Sequence, residues 1–232
     1  MQQYFCDERL AVGDEIILSK DITNHLIKVL RKDNRYIFRL VDKNHQVFFA
    51  HLNTPSTALV VEESSENNEL EADITVILSL IRNENFDLCI QKLTELGVKR
   101  IVPFNAKRSV AKPSKKEGKL ERYRKIAREA AEQSHRNLIP EITDYITIKQ
   151  LPLYLSDYNF LPYEKEDSSL TSFDIKKDAT ISYIIGPEGG FEKEEIDYLK
   201  ELGFVSLSLG KRILRAETAA IYLTSLITGK LQ

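Results

Sequence analysis

Two loops carry the residue types best suited to chemistry. The first, Gly186-Pro-Glu-Gly-Gly190, combines three glycines with a proline, so main-chain groups can approach a ligand closely while the loop keeps one shape. It is neither a G-x-G-x-x-G dinucleotide fingerprint nor a P-loop, because no G-K-[ST] follows, and a tight strand-to-helix turn is an equally ready reading. The second, Leu209-Gly-Lys-Arg-Ile-Leu-Arg-Ala-Glu-Thr-Ala219, sets Arg215 and Glu217 beside a helix start. Arg215 suits a phosphate or a developing negative charge, and Glu217 suits orienting a ligand or capping the helix. The loops are one strand and one helix apart, which makes them neighbouring edges of a single pocket in an open α/β sheet.

Other chemistries find less support. His25, His45, His51 and His135 are scattered without metal-ligand spacing, and no serine or cysteine comes with a recognisable partner, so no metal is expected and covalent hydrolysis is disfavoured. Cys6 and Cys89 stand outside any C-x-x-C and are expected to be buried free thiols.

The elements that must position these loops follow from periodicity. Ile74 to Leu80 is a buried-strand run; Phe86, Cys89, Ile90 and Leu93 then form a helical stripe that Gly97 ends, before a strand at Arg100 to Phe104. Leu120, Tyr123, Ala127, Ala130, Ala131 and Ser134 mark one face of a long helix, with Lys125/Glu129 and Glu132/Arg136 as support pairs on the other. A strand at Ile181 to Ile185, a helix at Glu192 to Leu202, a strand at Val205 to Leu209 and a helix at Glu217 to Thr228 complete the alternation. A mostly parallel α/β sheet is expected.

The first seventy residues read differently. Glu15 to Ser19, Tyr36 to Val41, Val47 to Leu52 and Ala58 to Val61 are short strand runs, and Asp21 to Arg31 reads as one helix capped by Asp21 with Ile22, Leu26 and Val29 or Leu30 inward. A small barrel or sandwich is implied. Glu62 to Glu69, polar throughout, reads as a linker or exposed turn, which sets domains at 1–70 and 71–232.

Composition bounds the class of protein. The 232 residues include 33 Lys+Arg and 35 Asp+Glu, a net charge of -2, with 42% hydrophobic residues. A chain of this length buries an ordinary core, and its apolar runs fall far short of the roughly 20 residues a bilayer requires. The N-terminus has no basic segment followed by an apolar one, so no secretory signal and a cytoplasmic location are expected. The near-neutral total hides an asymmetry: Lys99 to Arg128 holds twelve cations against two anions. Either this is a solvated face or it meets a polyanion, and nucleic acid is the natural partner.

Taken together, Ile185-Gly-Pro-Glu-Gly-Gly-Phe191 and Leu209-Gly-Lys-Arg-Ile-Leu-Arg-Ala-Glu-Thr-Ala219 resemble the paired signature of the RsmE family of 16S ribosomal RNA uracil-N3 methyltransferases. The resemblance extends in order along the chain through His25-Leu-Ile-Lys-Val-Leu-Arg31, Gln91-Lys-Leu-Thr-Glu-Leu-Gly97, Arg108-Ser-Val110, Glu129-Ala-Ala-Glu-Gln133, Arg136 and Pro140. It implies a SPOUT methyltransferase: an N-terminal PUA-like RNA-binding β-barrel, a C-terminal α/β domain whose trefoil knot holds S-adenosyl-L-methionine, and a homodimer acting on 16S ribosomal RNA or the small ribosomal subunit. General rules of chain topology would argue against such a knot.

Carried over by motif, the resemblance assigns Gly186, Pro187, Glu188, Gly189 and Gly190 to one cofactor loop, and Leu209, Gly210, Ile213, Leu214 and Arg215 to the other, with Leu78 and Leu80 below. Arg215 and Glu217 become the catalytic candidates for direct methyl transfer. Arg9, Arg31, Arg82, Arg108, Lys112, Lys115, Lys116 and Lys119 are the RNA-binding candidates, Arg9 reaching towards a partner subunit's site. Where many relatives have Gly-Asp, Lys-Gly and an acidic residue, this chain has Arg35-Tyr36, Arg82-Asn83 and Lys107. A SPOUT enzyme acting on ribose 2'-oxygen or another base, and a non-catalytic RNA-binding assembly protein, remain the alternatives.

Overall fold

The structure, a computed structural model, describes residues 1–113, 118–163 and 173–232. The chain divides into two compact units, Met1–Glu69 with Ala131–Leu138, and Leu70–Ala130 with Ile139–Gln232. The segment 131–138 departs from the single cut expected at residue 70. It joins the first unit through hydrogen bonds that no periodicity in the sequence announces, such as Gln3 Nε2 donating to the Arg136 carbonyl at 2.7 Å.

In the first unit, β1 (Gln3–Phe5), β2 (Glu15–Ile17), β3 (Ile37–Val41), β4 (Val47–Thr54) and β5 (Thr57–Ser64) form one sheet in the order β1-β3-β4-β5-β2. The β1/β3 pair is parallel and the others antiparallel. Inward residues of alternating strands, among them Phe38, Leu40, Ala50, Leu52 and Ala58, form its core with Leu26. The expected helix over 21–31 is two pieces: α1 (Lys20–Thr23), capped by Ser19 rather than Asp21, and a π-helical stretch Asn24–Val29. The wider winding keeps Leu26 inward and turns Val29 to solvent, where it is 67% exposed.

Glu62 to Glu69 is not a linker. β5 runs through Ser64, Glu66 pairs with Arg39, and Glu69 closes on Arg136. Both arginine side chains are almost fully buried, and this acid-rich stretch supplies a carboxylate to each. The identity of those partners lies 27 and 67 residues away in sequence, beyond the reach of local composition.

The second unit is an all-parallel sheet of six strands: β6 (Asp73–Ser79), β7 (Arg100–Phe104), β8 (Glu141–Ile142), β9 (Tyr158–Pro162), β10 (Thr180–Ile185) and β11 (Val205–Leu207). Their order is β11-β9-β10-β6-β7-β8, so β6 and β10 are central and adjacent, with Leu78 in register with Ile185. The sequence runs at 74–80, 100–104, 181–185 and 205–209 correspond to strands; β8, β9 and a 3-10 turn at Ile148–Tyr154 carry no comparable pattern. The helices are α2 (Asn83–Glu95), α3 (Gly118–Gln133), α4 (Lys193–Glu201) and α5 (Ala216–Leu231). The stripe Phe86, Cys89, Ile90 and Leu93 of α2 is buried as its spacing predicts, and Gly97 ends the helix at φ +90.

Cys89 is buried and free, but Cys6 is only partly buried, which corrects the expectation for that thiol. Among the described residues no helix is long and apolar enough to cross a membrane, and no cluster of three His, Cys, Asp or Glu is placed to hold a metal.

Candidate functional site

A parallel sheet places its loops at the carboxyl ends of its strands, and the central pair there is β6 and β10. Gly186–Gly190 follows β10, Leu80–Arg82 follows β6, and residues 208–215 connect β11 to α5. Between them lies a cavity of about 710 Å3. Gly186, Pro187, Glu188, Gly189 and Gly190 line one side; Ile213, Leu214, Arg215 and Glu217 line another, with Arg82 and Arg108 also contributing. The two glycine-bearing loops thus meet around one space.

Backbone geometry accounts for the residue types. Gly190 has φ +67 and Gly210 φ +104, conformations that residues with a Cβ rarely adopt. Gly190 N–H donates to the Pro187 carbonyl at 2.9 Å, closing the first loop as a turn. At Gly189 a Cβ would stand 3.3 Å from Arg108 Cβ, tighter than most side chains tolerate.

Carboxylates brace this loop from both ends. Glu188 Oε1 accepts from the Arg82 backbone N–H at 3.0 Å, at the start of α2. Glu192 accepts from Arg108 Nε at 2.8 Å and from its Nη2 at 2.9 Å, while Nη1 donates to the Gly189 carbonyl at 3.1 Å. Glu192 raises the Arg108 pKa through that hydrogen bond and its charge. Glu195, 2% exposed, accepts from the Lys107 and Glu192 backbone N–H groups, each at 2.9 Å, and closes a capping box on α4. Arg108 is thereby tied to the cavity wall, a role its place in a basic strip does not announce.

Arg215 is the residue before α5, exposed at the cavity's edge, and Glu217 lies in the helix's first turn. Neither side chain has a hydrogen-bond or ion-pair partner among the described residues. Glu217 is close enough to Cys89 for its charge to push that thiol up, second to the effect of burial. A cation and a carboxylate, both unpaired, in a cavity lined by main chain can hold an ionic ligand and move a proton.

Four of the residues expected to touch a cofactor stand outside the lining. Leu78 and Leu80 are fully buried in the core under the sheet's end, and Leu209 and Gly210 precede the part of their loop that reaches the cavity. Sequence reasoning in turn missed Asn85, Pro162, Tyr163 and Ile196, which also line it, while Ile185, Phe191, Ala216 and Ala219 line it from within the two signature segments. The hydrophobic packing of Phe191 was legible in its apolar type; Tyr163 follows β9, a strand with no sequence signal.

The basic strip is largely neutralised. Lys99 pairs with Asp73, Arg100 with Glu141, Lys107 with Glu194, Arg108 with Glu192, Arg122 with Asp87, Arg124 with Glu121 and Lys125 with Glu129. Lys112 is exposed, and Lys119 lies over the Tyr123 ring, its pKa lowered by burial. Lys115 and Lys116 lie outside the described residues. Arg9 and Arg31 are exposed on the first unit.

A second cavity, of about 580 Å3, is lined by Arg82, Asn83, Glu84, Asn85, Val110, Ala111 and Arg215. It shares Arg82, Asn85 and Arg215 with the first.

Known proteins place this geometry in a family. A family model for an RNA methyltransferase domain matches residues 68–228. The chain is 34% identical to ribosomal RNA small subunit methyltransferase E of Mesomycoplasma hyopneumoniae, over 96% of this chain and 97% of that protein. It is 32% identical to the Bacillus subtilis protein of the same name, over 98% and 96%. A crystal structure of the Neisseria gonorrhoeae ribosomal RNA small subunit methyltransferase E bound to S-adenosyl methionine matches with a TM-score of 0.89 at 28% identity, covering 99% of this chain and 97% of that one. With near-complete coverage and the two signature loops walling one cavity, the chain belongs to the ribosomal RNA small subunit methyltransferase E family.

Proposed function

We propose that this protein methylates N3 of a uridine in 16S ribosomal RNA, taking the methyl group from S-adenosyl-L-methionine by direct transfer. One observation carries the reading: the cavity at the carboxyl ends of β6 and β10 is walled by Gly186–Gly190 and Ile213–Glu217. Its volume lies in the range of small-molecule sites. The residues fit the cofactor: glycine main chain for close approach, apolar surface at Ile185, Leu214 and Phe191, and the charged Glu188, Arg215 and Glu217 for its ionic groups.

The cofactor supplies a methyl group already activated on a sulfonium, so the chain's task is to align the acceptor and to make it nucleophilic. Neutral uracil N3 carries a proton. Arg215 stabilises negative charge on the uracil oxygens, and Glu217 accepts the proton or holds Arg215. Leu78 and Leu80 support the cofactor site from the core, and Leu209 and Gly210 shape the second loop so that Ile213 to Arg215 reach the ligand.

The first unit is a PUA-like barrel that grips RNA, with Arg9 and Arg31 among its contacts; Arg82, Arg108, Lys112, Lys115, Lys116 and Lys119 add to the RNA surface of the second. The second unit carries a trefoil knot, and the protein works as a homodimer. Support for an association face comes from α5, where Tyr222 is 44% and Leu226 36% exposed beside the buried Leu223 and Ile227.

Incubating the protein with labelled S-adenosyl-L-methionine and either small subunits or naked 16S RNA lacking the modification tests the reading. Label in a 3-methyluridine, identified by mass spectrometry and mapped, is the expected result. Label in another nucleoside overturns the N3 assignment, and cofactor binding absent from calorimetry overturns the enzyme.

A further inference from the structure

We infer that the second cavity receives the target nucleotide, and that Asn85, in the wall it shares with the first, is a positioning residue whose side-chain amide donates to a carbonyl oxygen of the pyrimidine. The inference rests on the function proposed above and names the acceptor subsite of the same site.

Direct transfer needs the reacting atoms about 3 to 3.5 Å apart in the reactive complex, so donor and acceptor must occupy adjoining spaces with an open boundary. The two cavities adjoin at Arg82, Asn85 and Arg215, which border both. These three offer hydrogen-bond donors at the boundary, and none of their side chains has a protein partner among the described residues. The contrast with Arg108 and Arg122, each closed on a carboxylate, is informative. A half-buried amide without a partner in a functional cavity is a group awaiting a ligand.

The acceptor's chemistry matches those donors. As the N3 proton leaves to a carboxylate of the site or to water, negative charge spreads over O2 and O4. The N3–methyl bond then forms while the sulfur–methyl bond breaks, its electron pair remaining on sulfur. Donors at both oxygens stabilise the anion more than the neutral base and so favour its formation near neutral pH. Asn85 Nδ2 serves one oxygen and Arg215 the other, leaving N3 free between them. The remaining cation, Arg82, suits the nucleotide's phosphate.

Asn85→Ala and Val110→Trp test this. Val110 lines only the second cavity and is 66% exposed, so a larger side chain fills that space without entering the core. For N85A, kcat for methylation of unmodified small subunits is expected to fall by up to about 100-fold, as when one donor to a developing oxyanion is removed. Its pH–rate profile should move to higher pH, which a merely structural loss would not do. For V110W, transfer should be lost. For V110W, calorimetric affinity for S-adenosyl-L-methionine should stay within about twofold, since Val110 does not line the donor cavity. Wild-type transfer with unchanged kcat and pH profile in N85A and undiminished transfer in V110W would overturn the acceptor site alone. No transfer by the wild-type protein to either RNA substrate would overturn the proposed function, and the acceptor site with it.

Discussion

Glu188, from the loop after β10, accepts a hydrogen bond from the backbone N–H of Arg82, 106 residues earlier at the start of α2. A carboxylate at that position meets both an orphan donor and the positive end of the α2 dipole. It also fixes the first loop against the strand end that the cavity adjoins, so one side chain serves stability and site shape together.

Replacing Glu188 by alanine should therefore cost about 1 kcal/mol, the ordinary worth of an N-terminal cap, and should weaken S-adenosyl-L-methionine binding. Glu188→Gln keeps an acceptor and should recover most of the stability. Urea titration and calorimetry on the two variants check both statements.

Glu69 and Arg136 form a buried pair whose side chains are 9% and 4% exposed. Glu69 Oε1 also accepts from the Asn137 and Leu138 N–H groups at 2.8 and 3.3 Å. Glu69→Ala takes a buried acceptor from the Arg136 guanidinium and from the Asn137 N–H, and a loss of about 3 to 5 kcal/mol is expected, measured by chemical denaturation. A loss below about 1 kcal/mol would show that the pair is solvated.

Burial, and then the charge of Glu217, push the Cys89 thiol from 9.0 up to about 12. An acid whose pKa is raised by folding stays protonated in the native state while the unfolded chain ionises, so its contribution is present below pH 9 and is lost as pH rises towards 12. Stability should decline across that window, and Cys89→Ala should flatten the decline. In the native protein near neutral pH Cys89 should resist thiol reagents until the chain unfolds.

Arg35 has φ +76, a left-handed conformation held by its N–H donating to the Leu52 carbonyl at 2.9 Å. Left-handed geometry costs a residue with a Cβ about 1 to 2 kcal/mol, and glycine avoids this while losing about 0.5 to 1 kcal/mol of chain entropy. Arg35→Gly should thus be neutral or stabilising by up to about 1.5 kcal/mol in a thermal melt.

Much of the second unit was legible because parallel strands bury both faces and read as apolar runs, as in Ile74 to Leu80 and Ile181 to Ile185. β8 and β9 were not, since two residues at a sheet edge and a run as mixed as Tyr-Asn-Phe-Leu-Pro give no period. The site's glycines and Arg215 were found by residue type, whereas Asn85 was not, because a lone asparagine near a helix start reads as a helix-end residue. The strip from 99 to 128 misled in a different way: charge along the sequence cannot show that Asp73, Asp87, Glu141 and Glu192 fold back onto it.

The sheet's strand order has a consequence for how the protein comes into being. β6 finds its inner neighbour β10 only after about a hundred further residues have been made, and β11 must still join beyond β9. Such distant pairings are slow, because chain closure must precede the contacts that reward it. A nascent chain on the ribosome therefore has no complete cavity between Gly186–Gly190 and Ile213–Glu217 until β11 and the start of α5 have followed β10 out of the tunnel.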